Sequence, residues 1–144
     1  MDHARSDGEA RIGELAADLG LNPKTIRFYE ETGLLPAPRR DAAGYRRYGH
    51  AHRDRLRFII KAKSVGLTLR EIGEILALRD GGTEPCAHVR QLVDRKLAAV
   101  EEQLRLLADL WTDMLALRAA AASTPCSGTP ICAAIELHTP TSRR

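Results

Sequence analysis

Two sets of residues in this sequence have side chains capable of specific chemistry. The first is three thiols, Cys86, Cys126 and Cys132. The count is odd, and the charged N-terminus, Met1 to Glu9, has no apolar signal core. A disulfide framework of the secreted kind is therefore not expected, and reduced thiols in a cytoplasmic setting are. Taken alone, such thiols have three readings: inert small hydrophobes, redox-active groups or soft metal donors. The second set is basic. Between Arg39 and Lys63 nine Lys/Arg stand against Asp41 and Asp54, a local charge of +7. Aromatic rings are interleaved with it in the run Tyr45-Arg46-Arg47-Tyr48. A basic, aromatic-laced block attracts a polyanion, and release of counterions from DNA would drive its binding.

Composition narrows what can present these groups. The chain has 144 residues, a net charge of +3, 44% hydrophobic and 28% charged residues, and only 4% aromatic residues. It is rich in Ala, Leu, Glu and Arg, which favours an all-α fold over a sandwich or barrel. No run of about 18 apolar residues is present, so no transmembrane helix and no membrane partner is expected. No set of nucleophile, base and orienting group is visible, so an enzyme is not expected. Charge is also divided. Residues 1–79 carry 15 Lys/Arg and 11 Asp/Glu, a net of +4, and residues 80–144 carry 7 and 8, a net of −1.

Periodicity and breakers give the order of elements. Residues 1–9 read as a flexible lead. Ile12, Leu15, Ala16 and Leu19 recur on one helical face, and Gly20 stops that helix. Asn22-Pro23 restarts a second helix to about Glu31, with Asn as cap and Pro in the first turn. Ile26 and one of Phe28 and Tyr29 face inward, with Phe28 favoured for the core. Two helices across a short Gly-containing turn make a helix-turn-helix. Pro36, Pro38 and Gly44 then break helix, and Asp41 to Gly44 reads as a turn between two short extended arms, a wing. A third helix runs from about His50 to Val65, where His50 and His52 read as helix-start surface. Thr68-Leu-Arg-Glu71 is a capping box that opens a fourth helix, to about Leu78. The winged helix-turn-helix domain spans 10–80. Residues 85–122 hold no Gly and no internal Pro beyond Pro85, so they form one long helix. Leu97, Val100, Leu104, Leu107, Trp111 and Met114 step by 3 and 4 along it, with Val89 and Val93 leading in. That is a coiled-coil seam, and the economical partner is a second copy. Residues 123–144 form a loop and tail, with a short helical turn near Ala133–Leu137.

This order of elements resembles the MerR family of transcriptional regulators. The stretches Arg11-Ile-Gly-Glu-Leu-Ala16, Thr25-Ile-Arg-Phe-Tyr-Glu-Glu-Thr-Gly-Leu-Leu-Pro36, Arg39-Arg40, Gly44-Tyr-Arg-Arg-Tyr48 and Leu56-Arg-Phe-Ile59 carry the likeness, which covers about residues 10–120. It implies an antiparallel coiled-coil homodimer through the long helix, bound to promoter DNA and acting with RNA polymerase. Lys24, Thr25 and Arg27 open the recognition helix, where Arg27 can pair with a guanine and Lys24 with a phosphate. Tyr29 offers a hydroxyl to phosphate. Tyr45, Arg46 and Arg47 match the wing residues that clamp backbone phosphates. Members of the family distort a promoter whose spacer is too long for polymerase, and an effector biases the two states of the dimer.

The effector also follows from the resemblance. About twenty residues follow the long helix, short of the ligand domain of drug-sensing members, and three spread thiols fall short of the four of the iron–sulfur branch. The tail resembles the metal-sensing branch. There Cys86, supplied by the other subunit, goes with divalent ions, where Ser goes with monovalent copper. Cys126 and Cys132 bracket the loop Ser127 to Ile131, and Cys132-Ala-Ala-Ile-Glu136 matches that branch's cysteine followed by a short apolar helix. Three thiolates suit Hg(II) first, then Cd(II), Pb(II) and Zn(II). His88 and His138 are further candidate ligands, since zinc favours a fourth donor. The sequence departs from the family at this loop. Cys126 falls several residues late, and only five residues separate it from Cys132. A Cu(I) sensor, and a thiol redox or electrophile sensor, are the alternatives.

Overall fold

The computed structural model describes residues 8–125, 128 and 130–141. It divides into two units, Met1–Cys86 and Ala87–Arg144. The first contains α1 (Ile12–Leu19), α2 (Pro23–Glu31), β1 (Arg39–Arg40), β2 (Arg46–Arg47), α3 (His50–Ser64) and α4 (Leu69–Asp80). The helix α5 (Cys86–Ser123) begins at its last residue, and α6 (Ala133–Glu136) lies in the second unit.

Each boundary has a local cause. The backbone N–H of Arg11 donates to the Glu14 carboxylate at 2.8 Å and so closes the start of α1. Gly20 ends the helix at φ 65°, a left-handed conformation that glycine adopts without steric cost. Asn22 caps α2 by accepting from the Lys24 N–H at 2.9 Å, with Pro23 in the first turn. Thr68 and Glu71 form the capping box of α4: the Thr68 N–H donates to Glu71 at 2.8 Å, and the Glu71 N–H donates to the Thr68 hydroxyl at 3.2 Å. The helices expected from periodicity are all present, with ends that shift by one or two residues.

One apolar core holds the first unit together. Leu15 and Ala16 from α1, Ile26 and Tyr29 from α2, Leu34 and Leu35 from the following loop, Tyr48, and Leu56, Ile59 and Ala62 from α3 are buried with Ile72 and Leu76 of α4. The core therefore fixes α2 against α1, α3 and the base of the wing. Ile59 is fully buried, so Ile59→Ala is expected to destabilise the domain by about 2–5 kcal/mol, through lost transfer energy and the cavity left behind. Urea unfolding followed by circular dichroism would show this as a lower midpoint with an unchanged slope.

In the second unit α5 is 38 residues long, about 57 Å at ~1.5 Å per residue. Its seam is open on the single chain. Leu97, Val100, Leu104, Leu107, Trp111 and Met114 are all exposed, Leu104 by 60% and Trp111 by 66%. Among the described residues, nothing covers this stripe. Among the described tail residues, Ala133 and Ala134 of α6 are buried, and Thr141 returns to Asp113 on α5 through its backbone N–H, at 3.0 and 3.2 Å to the two carboxylate oxygens.

Candidate nucleic-acid interface and metal-ligating thiols

The wing is built around one carboxylate. Asp41 Oδ1 accepts from the backbone N–H groups of Ala43 at 3.1 Å and Tyr45 at 2.9 Å, and Oδ2 accepts from Arg47 Nε at 3.0 Å. Gly44 sits at φ 85°, which the tight turn requires. Arg40 closes the turn from the other strand by donating to the Gly44 carbonyl at 2.8 Å. The strands pair antiparallel, Arg39 with Arg47 and Arg40 with Arg46. A bridge from Ala10 to Tyr48 joins the segment before α1 to the hairpin. The wing is also tied to α2, because Arg46 Nε donates to Glu30 at 3.2 Å and the Tyr48 hydroxyl donates to the other oxygen of Glu30. Burial and the neighbouring Glu30 carboxylate both push the Tyr48 phenol up. It therefore stays protonated and remains a donor at physiological pH.

The Tyr45 backbone N–H, with Arg47 and the Ala43 N–H, holds the Asp41 carboxyl below the ordinary aspartate value of 3.8, against a partial opposing effect of desolvation. A folded-state value below the unfolded one stabilises the wing above the ordinary value, and that stabilisation is lost as pH falls through the lower one. In an NMR titration the Tyr45 and Ala43 amide signals should move together with a midpoint below 3.8. A midpoint at or above that value would contradict this arrangement of the wing.

Between the wing and the helix-turn-helix lies a cleft of about 660 Å3, lined by Arg11, Arg27, Arg40, Arg46, Tyr45 and Glu14 among others. Four guanidinium groups at one concavity form an anion-binding wall. Arg27 borders it from an exposed position of α2, with Lys24 exposed and Thr25 half-buried two to three residues earlier. Tyr45 is exposed, and the Arg11 guanidinium lies 4.9 Å from the centre of its ring. Arg11 and Arg40 stand outside the DNA-contacting set expected from the sequence. Arg11 precedes the first helix, and the Ala10–Tyr48 bridge together with the Glu9–Arg39 ion pair brings its segment to the wing.

The two aromatic residues of α2 differ from expectation in which one packs inward. Tyr29, expected to offer its hydroxyl to a phosphate, is 2% exposed and packs into the core. Phe28, favoured for the core, is 46% exposed on α2. The cause is helical geometry: Tyr29 is three residues from the buried Ile26 and shares its face, whereas Phe28 is two residues away. At the start of α3, His50 is exposed. His52 is structural: its Nε2 is 3.1 Å from the Pro36 carbonyl, and its ring meets Tyr48 edge-on.

The thiols stand as follows. Cys86 is a free, exposed thiol at the first residue of α5, and it closes the first unit. It borders an apolar pocket of about 870 Å3 with Pro36, Phe58, Ile75 and Leu76. Cys132 is a free, half-buried thiol in the second unit, directly before α6. Its backbone N–H donates to Glu136 Oε1 at 3.2 Å, which also accepts from the Ile131 N–H at 3.0 Å. Cys126 lies outside the described residues. The donors fit a soft ion in kind, since both described cysteines are free thiols. Among the described residues of one chain, no group of three His, Cys, Asp or Glu converges on a metal position. His138 Nε2 lies 3.6 Å from Asp113, and His88 is half-buried on α5.

A helix-turn-helix with an arginine-lined wing, followed by a long helix with an open apolar seam, defines a DNA-binding transcription regulator rather than an enzyme. No described helix is long and apolar enough to cross a membrane. The chain belongs to the MerR family: residues 10–78 match the MerR HTH family regulatory protein, and residues 53–120 match the family's DNA-binding region, described as MerR, DNA binding. It is similar to the mercuric resistance operon regulatory protein of Bacillus cereus, at 41% identity over 100 residues, covering 69% of this chain and 74% of that protein. It is also similar to a probable heavy metal-dependent transcriptional regulator of Haemophilus influenzae, at 38% identity, covering 67% of this chain and 75% of the relative. Among solved structures, the transcription regulator PbrR691 from Ralstonia metallidurans CH34 in complex with lead(II) matches with a TM-score of 0.69 and 35% identity, over 89% of this chain and 98% of that one.

Proposed function

We propose that the chain acts as a homodimer on promoter DNA and senses a thiophilic metal ion, Hg(II) first, with Cd(II), Pb(II) and Zn(II) as competitors. Metal binding switches the dimer so that it distorts an overlong promoter spacer and lets RNA polymerase engage. The observation that carries the reading is the combination, in one chain, of an arginine-walled cleft beside α2, an unpartnered heptad seam on α5 and two free thiols. Relatives described as mercuric resistance and heavy metal-dependent regulators support the metal as effector.

In this reading α5 pairs antiparallel with its counterpart through Leu97, Val100, Leu104, Leu107, Trp111 and Met114. Lys24, Thr25 and Arg27 address the major groove, while Tyr45, Arg46 and Arg47 address phosphates. Arg46 already pairs with Glu30 and so ties the wing to the recognition helix, while Arg47 pairs with Asp41 inside the wing and holds its turn. Arg11 and Arg40 add positive charge to the same wall. The metal ligands are Cys126 and Cys132 of one subunit and Cys86 of the other. When bound, the ion ties together thiolates from two subunits. Since these ligands belong to both copies, its binding energy biases the relation between the two DNA-binding domains.

Footprinting on the chain's own promoter, with and without Hg(II), tests this reading. The metal should add hyper-reactive positions at the centre of the site without moving its edges. Arg27→Ala should weaken specific binding by about 1–3 kcal/mol per half-site and relax base preference there. Unchanged affinity and specificity in that variant would remove Arg27 from the interface.

A further inference from the structure

The tail of the chain is fastened at a point that the sensing reading does not use. Asp113 lies on α5, one residue before Met114 of the seam, and its carboxylate accepts the Thr141 N–H through both oxygens and the Thr141 hydroxyl through Oδ1. His138 Nε2 lies 3.6 Å from the same oxygen. The side chains of Asp113 and His138 are both largely covered, at 14% and 20% exposure. A carboxylate that receives two donors of one residue makes charge-assisted bonds, stronger than neutral ones. This contact joins positions 28 residues apart. It fixes the far end of the segment that carries Cys132. The near end is fixed by Glu136, which receives the N–H groups of Ile131 and Cys132. Between the two anchors, Ala133 and Ala134 are buried, while Ile131, Ile135 and Leu137 stay exposed. Two alanines alone offer little apolar area to hold a four-residue helix in place, so the polar anchors carry much of the work.

We propose that Asp113 is a positioning residue for the metal loop: through Thr141 it straps the tail to α5 and sets the exposure and placement of the Cys132 thiol. The functional half of this inference rests on the metal-sensing reading, whereas the strap itself does not. Asp113 touches neither cysteine, so its removal acts through the tail. Without the strap, the tail around Thr141 separates more often from α5, and Cys132 is more often exposed and less often in a ligating position. A loop that must be ordered before it can bind pays that ordering in affinity.

The test uses the full-length reduced protein, with alkylation at Cys86 and Cys132 followed separately by peptide mass mapping. Asp113→Ala is expected to raise the metal-free alkylation rate of Cys132 about tenfold, the size that corresponds to one lost charge-assisted hydrogen bond, and to leave Cys86 unchanged. Asp113→Asn, which keeps acceptor capacity without the charge, should fall between the two. Thr141→Pro removes both donors from the exposed tail without touching α5, and should raise the Cys132 rate by a similar factor even where Asp113→Ala is poorly folded. Hg(II) affinity, measured against a competing thiol, should fall by a similar factor. Wild-type reactivity at Cys132 in both Asp113→Ala and Thr141→Pro would overturn the strap. Raised reactivity with unchanged Hg(II) affinity would overturn its positioning role. Failure of wild-type protein to bind Hg(II) would instead sink the metal reading, and the metal-free rates would still decide the strap.

Discussion

Replacing Leu104 and Leu107 together with aspartate is expected to yield a folded monomer that no longer holds its promoter. Both residues are exposed on the single chain, so the change disturbs no core of its own. The N-terminal unit has a separate core, from Ala10 to Leu76, and keeps its helix-turn-helix. The loss falls on the pairing of two α5 helices. Aspartate at neighbouring seam positions would bury charge without a partner against the apolar face of the other copy. A monomer retains one arginine-lined cleft and therefore half of the phosphate and base contacts. Linking two half-sites through one dimer raises apparent affinity by about 10²–10⁴-fold, and that factor is what the variant should lose. Sedimentation would show the change in mass, and gel shift the change in affinity. A variant that stays dimeric would move the interface elsewhere on α5.

The second large effect is expected at Cys86. Cys86→Ser should remove one of three soft donors and replace it with a hard, weakly ligating hydroxyl. Altering an outer hydrogen-bond partner of a ligand costs about 10–100-fold in metal affinity, and loss of a ligand itself should exceed that. DNA binding without metal should be unchanged, because Cys86 lies outside the arginine cleft and the core. Hg(II), Cd(II) and Pb(II) should all lose affinity, while Cu(I), which is satisfied by two thiolates, should lose least. The resemblance that links a cysteine here to divalent ions makes this substitution a test of ion class as well as of affinity. Retention of full divalent affinity would place the site wholly on Cys126, Cys132 and their neighbours.

The sequence announced some of these features and concealed others, for physical reasons. Gly20, Asn22-Pro23 and the Thr68–Glu71 box are local signals, and the helices begin and end where they indicate. The heptad steps of α5 are likewise local, and their exposure is what a seam awaiting a partner requires. The exchange of Phe28 and Tyr29 has a different origin. Hydrophobicity favours burial of phenylalanine, but the three-residue spacing from Ile26 puts tyrosine on the core face, and geometry prevails. Arg11 and Arg40 joined the basic wall through pairings across the hairpin and the Ala10–Tyr48 bridge, which no window along the chain reveals. Arg46 and Arg47 are legible as basic wing residues, but their ion pairs with Glu30 and Asp41 depend on tertiary placement. The Asp113–Thr141 strap lies across 28 residues and had no sequence signal at all.

Three thiolates from two subunits are proposed to hold one soft ion. The most direct measurement is a thiol-protection titration on the reduced dimer, with Hg(II), Cd(II), Pb(II), Zn(II) or Cu(I) added under a competing thiol and each cysteine mapped separately. Cys86, Cys126 and Cys132 should all become shielded as the divalent ion fills its site, with Hg(II) tightest. Shielding of Cys126 and Cys132 alone, by Cu(I), would contradict the role given to Cys86. Protection of no thiol by any ion would contradict metal sensing altogether and leave thiol oxidation or alkylation as the signal.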